Sequence, residues 1–90
     1  NLPTKFELYQ NYPNPFNPST IIKFQVASSK FIKLHVFDIL GREIQTLVNE
    51  QKPPGNYEIE FNAGGLPSGV YFYRIKTENY NATKKMVLLR

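Results

Sequence analysis

Apolar and polar side chains alternate along several short runs of this chain, and turn-forming residues separate each run from the next. In one run, Ile22, Phe24 and Val26 alternate with Lys23 and Gln25, which is the period-2 pattern of a strand that buries one face. The chain lacks a 3.6-residue apolar period long enough for a helix. The pattern predicts about seven strands, over residues 6–9, 22–26, 32–36, 43–49, 57–61, 70–76 and 83–90.

The spacing of the turns indicates a fold class. Seven Pro and five Gly interrupt the chain, while seven Phe and six Tyr favour pleated, half-buried surfaces. Short strands with turn signals about every 8–12 residues predict an all-β fold, specifically an immunoglobulin-like antiparallel β-sandwich. In its core we expect Phe24, Val26, Leu34, Val36, Ile59, Phe61 and Tyr71.

Three closely spaced prolines set one segment apart from the strands. Pro13, Pro15 and Pro18 exclude a helix and a central strand, because proline lacks a backbone N–H and clashes with the preceding turn. Each residue before a proline is also restricted to extended geometry. We therefore expect a rigid extended loop that holds Tyr12 and Phe16 against the edge of the domain.

A chain of 90 residues suffices for one domain. We divide it into a leading strand with the proline-rich loop, residues 1–18, and a sandwich body, residues 19–90. Because the chain begins Asn-Leu-Pro without an initiator Met, we interpret it as part of a longer protein.

Two turns have recognisable chemistry. Asp38 can bond its own following backbone and Gly41 supplies a positive φ, so we predict a tight hairpin that ends near Arg42. Farther along, Tyr71 lies just inside a predicted strand after a corner that begins at Leu66. This placement suits a tyrosine corner, in which the phenol oxygen bonds backbone a few residues upstream. The alternative is a core tyrosine with a hydrated hydroxyl.

Residues able to perform chemistry are few. The chain has no Cys, which excludes disulfides, thiolate nucleophiles and Cys-based zinc sites. The one histidine, His35, shares a face with Lys33, and a surface histidine is favoured over a metal ligand. Asn14, Asn17 and Asp38 could offer oxygens to calcium, but such sites usually gather several carboxylates and carbonyls. We predict a non-enzymatic chain without a cofactor or metal.

Charge and hydropathy bear on two further classes of partner. The net charge is +4 and the lysines are scattered, which favours a solvated basic surface over a nucleic-acid site. No stretch approaches the ~20 apolar residues of a membrane span, and no signal peptide is visible.

Five segments form an ordered series within the stretch of chain from about Phe6 to Arg90. They are Asn11-Tyr12-Pro13-Asn14-Pro15-Phe16-Asn17-Pro18-Ser19-Thr20-Ile21, Asp38-Ile39-Leu40-Gly41-Arg42-Glu43, Gly55-Asn56-Tyr57, the stretch Leu66 to Tyr71 with Gly69, and Lys84-Lys85-Met86-Val87-Leu88-Leu89. In order and spacing the series resembles the type A C-terminal sorting domains of the type IX secretion system, found in the Bacteroidetes and neighbouring phyla. Related modules are similar to the immunoglobulin-like part of flagellar hook-capping proteins, which agrees with the predicted fold.

The resemblance implies a role in protein transport. It implies that N-terminal cargo crosses the periplasm and is then moved to the cell surface or the extracellular space. The implied partners are the type IX outer-membrane translocon with its shuttle protein, and a sortase-like surface protease that removes the domain. An exposed Leu40 at the hairpin tip would be a candidate contact for this machinery, although packing on a neighbouring strand is the favoured alternative.

The resemblance assigns recognition to the last strand. The implied address is Lys84, Lys85, Met86, Val87, Leu88 and Leu89, whereas the proline-rich segment is implied to be structural. Because the last strand is apolar on both faces, either both faces are covered or one face, or the open edge, is offered to a partner. In the second case Lys84 and Lys85 would guard the edge.

A second class of function also fits the predicted sandwich. The chain could be a carbohydrate-binding, adhesive or spacer module appended to a secreted enzyme. A sugar-binding face needs an exposed aromatic row, which Tyr71 and Tyr73, or Phe72, would have to supply.

Overall fold

A computed structural model describes residues 2–90, and within that range it contains seven strands and no helix. The predicted all-β class is therefore confirmed. The strands are β1 (Glu7–Leu8), β2 (Ser19–Val26), β3 (Lys30–Phe37), β4 (Glu43–Lys52), β5 (Gly55–Asn62), β6 (Gly69–Lys76) and β7 (Asn81–Leu88).

The strands form two antiparallel sheets. The smaller sheet has the order β1-β2-β5 and the larger has the order β4-β3-β6-β7. Every pairing between these strands is antiparallel, and β7 pairs with β6 from Gly69↔Leu88 to Lys76↔Asn81. This arrangement is consistent with the predicted immunoglobulin-like sandwich.

The core lies between the sheets because alternate residues of each strand are apolar and face inward. Burying each large aliphatic or aromatic side chain contributes about 1.5–3 kcal/mol, so this cluster is the main source of stability. It also includes Phe16 from the proline-rich loop. The buried apolar residues are Leu8, Phe16, Ile22, Phe24, Val26, Ile32, Leu34, Val36, Val48, Phe61, Ala63, Tyr71, Tyr73, Ile75, Met86 and Leu88.

The expected core is confirmed at every position but one. Phe24, Val26, Leu34, Val36, Phe61 and Tyr71 are buried, whereas Ile59 is only half-buried. Ile59 lies on β5, which pairs with β2 on one side and forms the edge of its sheet on the other. Fewer neighbours therefore cover this side chain than a central position would provide.

Each strand differs at one end or both from the sequence-based expectation, and three of these boundaries show the reason. β4 continues to Lys52 because it pairs with β3 as far as Lys30, and β5 begins at Gly55 because that residue pairs with Val26. The last strand ends at Leu88 rather than at residue 90. Pairing between strands, which the local pattern does not record, sets these limits.

The prediction that His35 lies on the surface is wrong, since its exposure is only 6%. Its ring lies on the outward face of β3 but is covered by longer neighbours. The Nδ1 atom is 3.1 Å from the Glu43 carboxylate, and the Phe37 ring centroid is 4.5 Å from the imidazole centroid. Lys33 approaches the same Glu43 carboxylate at 3.8 Å.

Candidate functional site

The last strand, β7, is an edge strand whose two faces differ. On the inward row, Met86 and Leu88 are fully buried. Lys84 falls on the same row and is half-buried, so it is less exposed than a residue guarding an open edge would be. On the outward row Lys85 is exposed and Val87 is half-buried.

The proline-rich loop covers the outer edge of β7 over its C-terminal half. The Phe16 N–H donates to the Val87 carbonyl and the Leu89 N–H donates to the Phe16 carbonyl, both at 3.0 Å. Side chains extend the cover: the Val87 N–H donates to Asn14 Oδ1 at 3.0 Å, and Gln10 Nε2 donates to the Lys85 carbonyl at 2.6 Å. This part of the edge is therefore occupied by the chain itself.

A buried polar cluster fixes the start of this loop to β2. Asn11 Nδ2 donates to the Pro13 carbonyl at 3.1 Å and to Thr20 Oγ1 at 3.0 Å, and the Thr20 hydroxyl donates to the same carbonyl at 2.8 Å. Both side chains are buried and satisfied, which is the condition under which a polar cluster stabilises a fold. From the sequence, Asn11 is identified only as part of the proline-rich motif, without this bonding role.

The two aromatic residues of the proline-rich loop differ in burial. Phe16 is buried and packs edge-on against Phe61, with ring centroids 6.0 Å apart, as expected. Tyr12 is 81% exposed, so the prediction that it packs on the domain edge is wrong. Its backbone exchanges two 3.0 Å hydrogen bonds with Ile21, and this pairing leaves the side chain outside the sandwich.

The hairpin between β3 and β4 is built by Asp38 and Gly41. The Asp38 carboxylate accepts hydrogen bonds from the N–H groups of Leu40 and Arg42 at 2.9 Å and from Arg42 Nε at 2.7 Å. These donors, led by the Arg42 backbone N–H, lower the pKa of Asp38 below its ordinary value. Gly41 has φ = +83°, which confirms the predicted positive φ.

The tyrosine corner is also present. The Tyr71 hydroxyl donates to the Pro67 carbonyl at 2.7 Å, and the ring is buried. Two residues farther along β6 and on the same face, the Tyr73 hydroxyl donates to the Tyr9 carbonyl at 2.6 Å, and burial raises the pKa of Tyr73 to about 12. Both hydroxyls therefore act as structural donors.

Sequence reasoning missed the role of Arg90. Its guanidinium donates to the carbonyls of Leu66 and Ala63 at 2.7 Å and of Gly64 at 2.6 Å, and its backbone N–H donates to Ser68 Oγ at 3.0 Å. An arginine presents several donors in a fixed fork, so it can satisfy several loop carbonyls together. No local pattern around residue 90 indicates which carbonyls it meets.

Two motifs that are distant in sequence meet at one end of the sandwich. Asp38, Arg42, Gly69 and Tyr71 all line a groove of about 430 Å³, whose walls also carry apolar side chains of the hairpin and of the loop before β6. The exposed hairpin residues Ile39 and Leu40 form one wall of it. The structure thus brings together the hairpin motif and the tyrosine-corner motif.

The arrangement disfavours sugar binding through the aromatic residues of β6. Tyr71 and Tyr73 are buried in the core, and Phe72 is half-buried on the outward face opposite Lys85. Of the three side chains considered for calcium, Asp38 and Asn14 have oxygens engaged in hydrogen bonds, Asp38 within the hairpin and Asn14 with Val87. Among residues 2–90, no three His, Asp or Glu side chains are grouped as metal ligands, and no helix is long and apolar enough to cross a membrane.

Comparison with known proteins identifies the family. The model of the secretion system C-terminal sorting domain matches residues 10–89, a span that contains the proline-rich loop and strands β2 to β7. Searches of curated proteins and of solved structures find no significant match. Because the family model matches far more than half of the 90 residues, the chain belongs to the family of type IX secretion system C-terminal sorting domains.

Proposed function

We propose that residues 1–90 act as one sorting domain that directs an N-terminal cargo protein across the outer membrane through the type IX system. The observation that carries the proposal is the family match over residues 10–89. The domain acts as a folded ligand for the export machinery and not as a catalyst. Residues 1–18 supply a leading strand and the covering loop, and residues 19–90 supply the sandwich.

We place the sorting address on the last strand and the residue that follows it, from Lys84 to Leu89. Met86 and Leu88 are buried and hold the strand in position, while Lys85, Val87 and Leu89 present side chains outward. The backbone edge beside Lys85 and Val87 is already bonded to the proline-rich loop. A partner therefore binds side chains of this strand in preference to adding a strand to its edge.

The route of the cargo follows from the proposed role. The cargo crosses the periplasm, the shuttle protein and translocon bind the folded domain, and the cargo is delivered to the cell surface or beyond it. A sortase-like surface protease then separates the domain from the cargo.

Export of a fused reporter tests this proposal. A periplasmic reporter carrying the chain at its C-terminus should be secreted by a type IX-competent host and retained in an otherwise identical strain without the translocon. The same reporter without the chain should be retained in both strains. Secretion of the fusion by the translocon-deficient strain, or its retention in the competent strain, would contradict the proposal.

A further inference from the structure

Two consecutive large apolar residues are exposed at the tip of the β3–β4 hairpin. Ile39 and Leu40, called the hairpin tip below, are 69% and 74% exposed. Single exposed apolar residues are ordinary, but two adjacent ones at a tight turn are not required by the turn itself. Asp38 and Gly41 set the backbone of this hairpin, so polar residues would serve equally well at the two tip positions.

The hairpin tip is presented rigidly. Besides the bonds from the Asp38 carboxylate, the Gly41 N–H donates to the Asp38 carbonyl and the Asp38 N–H donates to the Arg42 carbonyl, both at 3.0 Å. A preorganised element loses little conformational freedom on binding, which favours affinity. Hydrogen bonds of Asp38, Gly41 and Arg42 thus fix the backbone that presents the exposed side chains of Ile39 and Leu40.

Concave surfaces lie on both sides of the hairpin tip. The groove of about 430 Å³ lies between the hairpin and the loop before β6, where Ile44, Leu66 and Val70 supply apolar walls. A second groove of about 300 Å³ lies on the other side, against Phe37 and Phe72. Ile39 lines both grooves, so a partner that receives the hairpin tip can also insert its own side chains beside it.

The positive charge lies at the second groove, because the charged residues of the first groove pair with each other. Asp38 and Arg42 offset each other through an ion pair of 2.7 Å. Arg74 lines the second groove, where its guanidinium lies 5.1 Å from the Phe37 ring centroid and its Nε donates to Thr83 Oγ1. Across β6 and β7, Lys85 pairs with Phe72 and adds a further exposed cation to the same face.

We propose that the hairpin tip and its two grooves form a docking surface for a protein component of the export machinery. The partner surface has an apolar pocket that receives Ile39 and Leu40, and a carboxylate beside it that meets Arg74. This inference rests on the proposed function and assigns a second contact to it, which is centred on the β3–β4 hairpin and adjoins the last strand at Thr83 and Lys85.

Two other occupants fit the surface less well. A lipid interface would meet the convex tip but leave both grooves empty, and two aliphatic side chains with a few cations give only weak membrane attachment. In a symmetric pair, a second copy of the chain would present the same hairpin tip and the same Arg74. It would then have to supply a carboxylate to Arg74 from that same surface. The grooves and the positive charge together favour an acidic, concave protein surface.

The test replaces the tip and measures both stability and export. Ile39→Ser with Leu40→Ser should leave the melting temperature nearly unchanged and lower secretion of the fused reporter about tenfold or more, the size expected for losing an apolar anchor. The matched control is Phe31→Ser, which removes a 54% exposed aromatic side chain at the opposite end of β3. That control should be secreted like the wild type. If the double variant does not fold, the single variant Leu40→Gln is tested in the same secretion assay, with the same expected loss.

The charge is tested separately. Arg74→Gln should lower secretion several-fold, because a neutral side chain loses the attraction to a carboxylate of the partner. Lys23→Gln, on the outward face of the other sheet, serves as the charge-matched control and should have no effect. Secretion of Arg74→Gln at the wild-type level would overturn the acidic character of the partner.

The remaining outcomes decide between occupants. Normal secretion of the tip variants overturns the inference while leaving the proposed function intact, whereas failure of the wild-type fusion to be secreted overturns both. Flotation of the purified chain with phosphatidylglycerol vesicles, lost in the tip variant, would assign the tip to a membrane. Self-association in sedimentation, lost in the same variant, would assign it to a second copy.

Discussion

The side-chain oxygen of Asn14 accepts a hydrogen bond of 3.0 Å from the backbone N–H of Val87, which lies 73 positions later in the chain. A side chain thus satisfies an N–H that an added strand would otherwise bond. Exposed strand edges template pairing with other chains, and covering them is one way in which proteins avoid aggregation. The asparagine of the proline-rich motif has this physical role in the structure.

Replacing Asn14 should expose part of the last strand. We expect Asn14→Ala to lower the free energy of unfolding by about 0.5–1.5 kcal/mol, the usual net value of one hydrogen bond. The matched control is Asn17→Ala, because Asn17 is exposed and its side chain makes no hydrogen bond within the part of the chain that the structure describes. Chemical denaturation measures both, and an equal loss in the two variants would show that the Asn14–Val87 bond is not the cause.

The tyrosine corner should contribute measurably to stability. Tyr71→Phe removes the donor to the Pro67 carbonyl and should cost about 1 kcal/mol. Tyr80→Phe removes the hydroxyl of a half-buried tyrosine that stacks on Phe6, and no hydrogen bond of that hydroxyl is found among residues 2–90. We expect it to be nearly neutral in the same denaturation experiment. If the Tyr71→Phe variant is as stable as the wild type, the hydrogen bond of the tyrosine corner does not contribute to stability.

The hairpin should make stability depend on pH. Because the folded chain lowers the pKa of Asp38, its ionised carboxylate stabilises the fold above the ordinary aspartate range, about pH 4, and this contribution is lost as the pH falls through the lowered value. Asp38→Asn should therefore be less stable than the wild type at pH 7. The difference between the two proteins should shrink at pH 3.

Measurement of unfolding free energies at both pH values tests this expectation. Glu60→Gln, which removes an exposed carboxylate of β5, is the control for the loss of one negative charge and should stay near the wild type. A difference between wild type and Asp38→Asn that is equal at pH 7 and pH 3 would contradict the role given to the ionised carboxylate.

Much of the fold could be predicted from local patterns. The alternation in β2 and β6 and the turn residues at Asp38 and Gly41 each reflect a preference of nearby backbone, and each was confirmed. The half-burial of Ile59 and the burial of His35 depend on which strand lies alongside, so the local sequence could not decide them.

The geometry around the last strand was the least predictable. The apolar run correctly indicated a last strand with Lys84 on the row of Met86 and Leu88, but not that this row is the one that faces the core. Nor did it indicate that Asn14 reaches Val87 or that Arg90 bonds the loop carbonyls, because these contacts join residues far apart in sequence. Such pairings follow from topology, and a single sequence with local signals does not contain them.

Secretion of a fused reporter that carries Lys84→Ala and Lys85→Ala decides whether the last strand holds the sorting address. Lys85 is exposed, so Lys85→Ala alone should change stability by less than about 0.5 kcal/mol, whereas half-buried Lys84 also contributes packing of its stem. The control, Lys5→Ala with Lys23→Ala, removes two exposed lysines on the other side of the sandwich. All of these proteins should fold, and only the Lys84 and Lys85 variants should show reduced secretion. A folded double variant secreted at the wild-type level would contradict the assignment of the address to this strand.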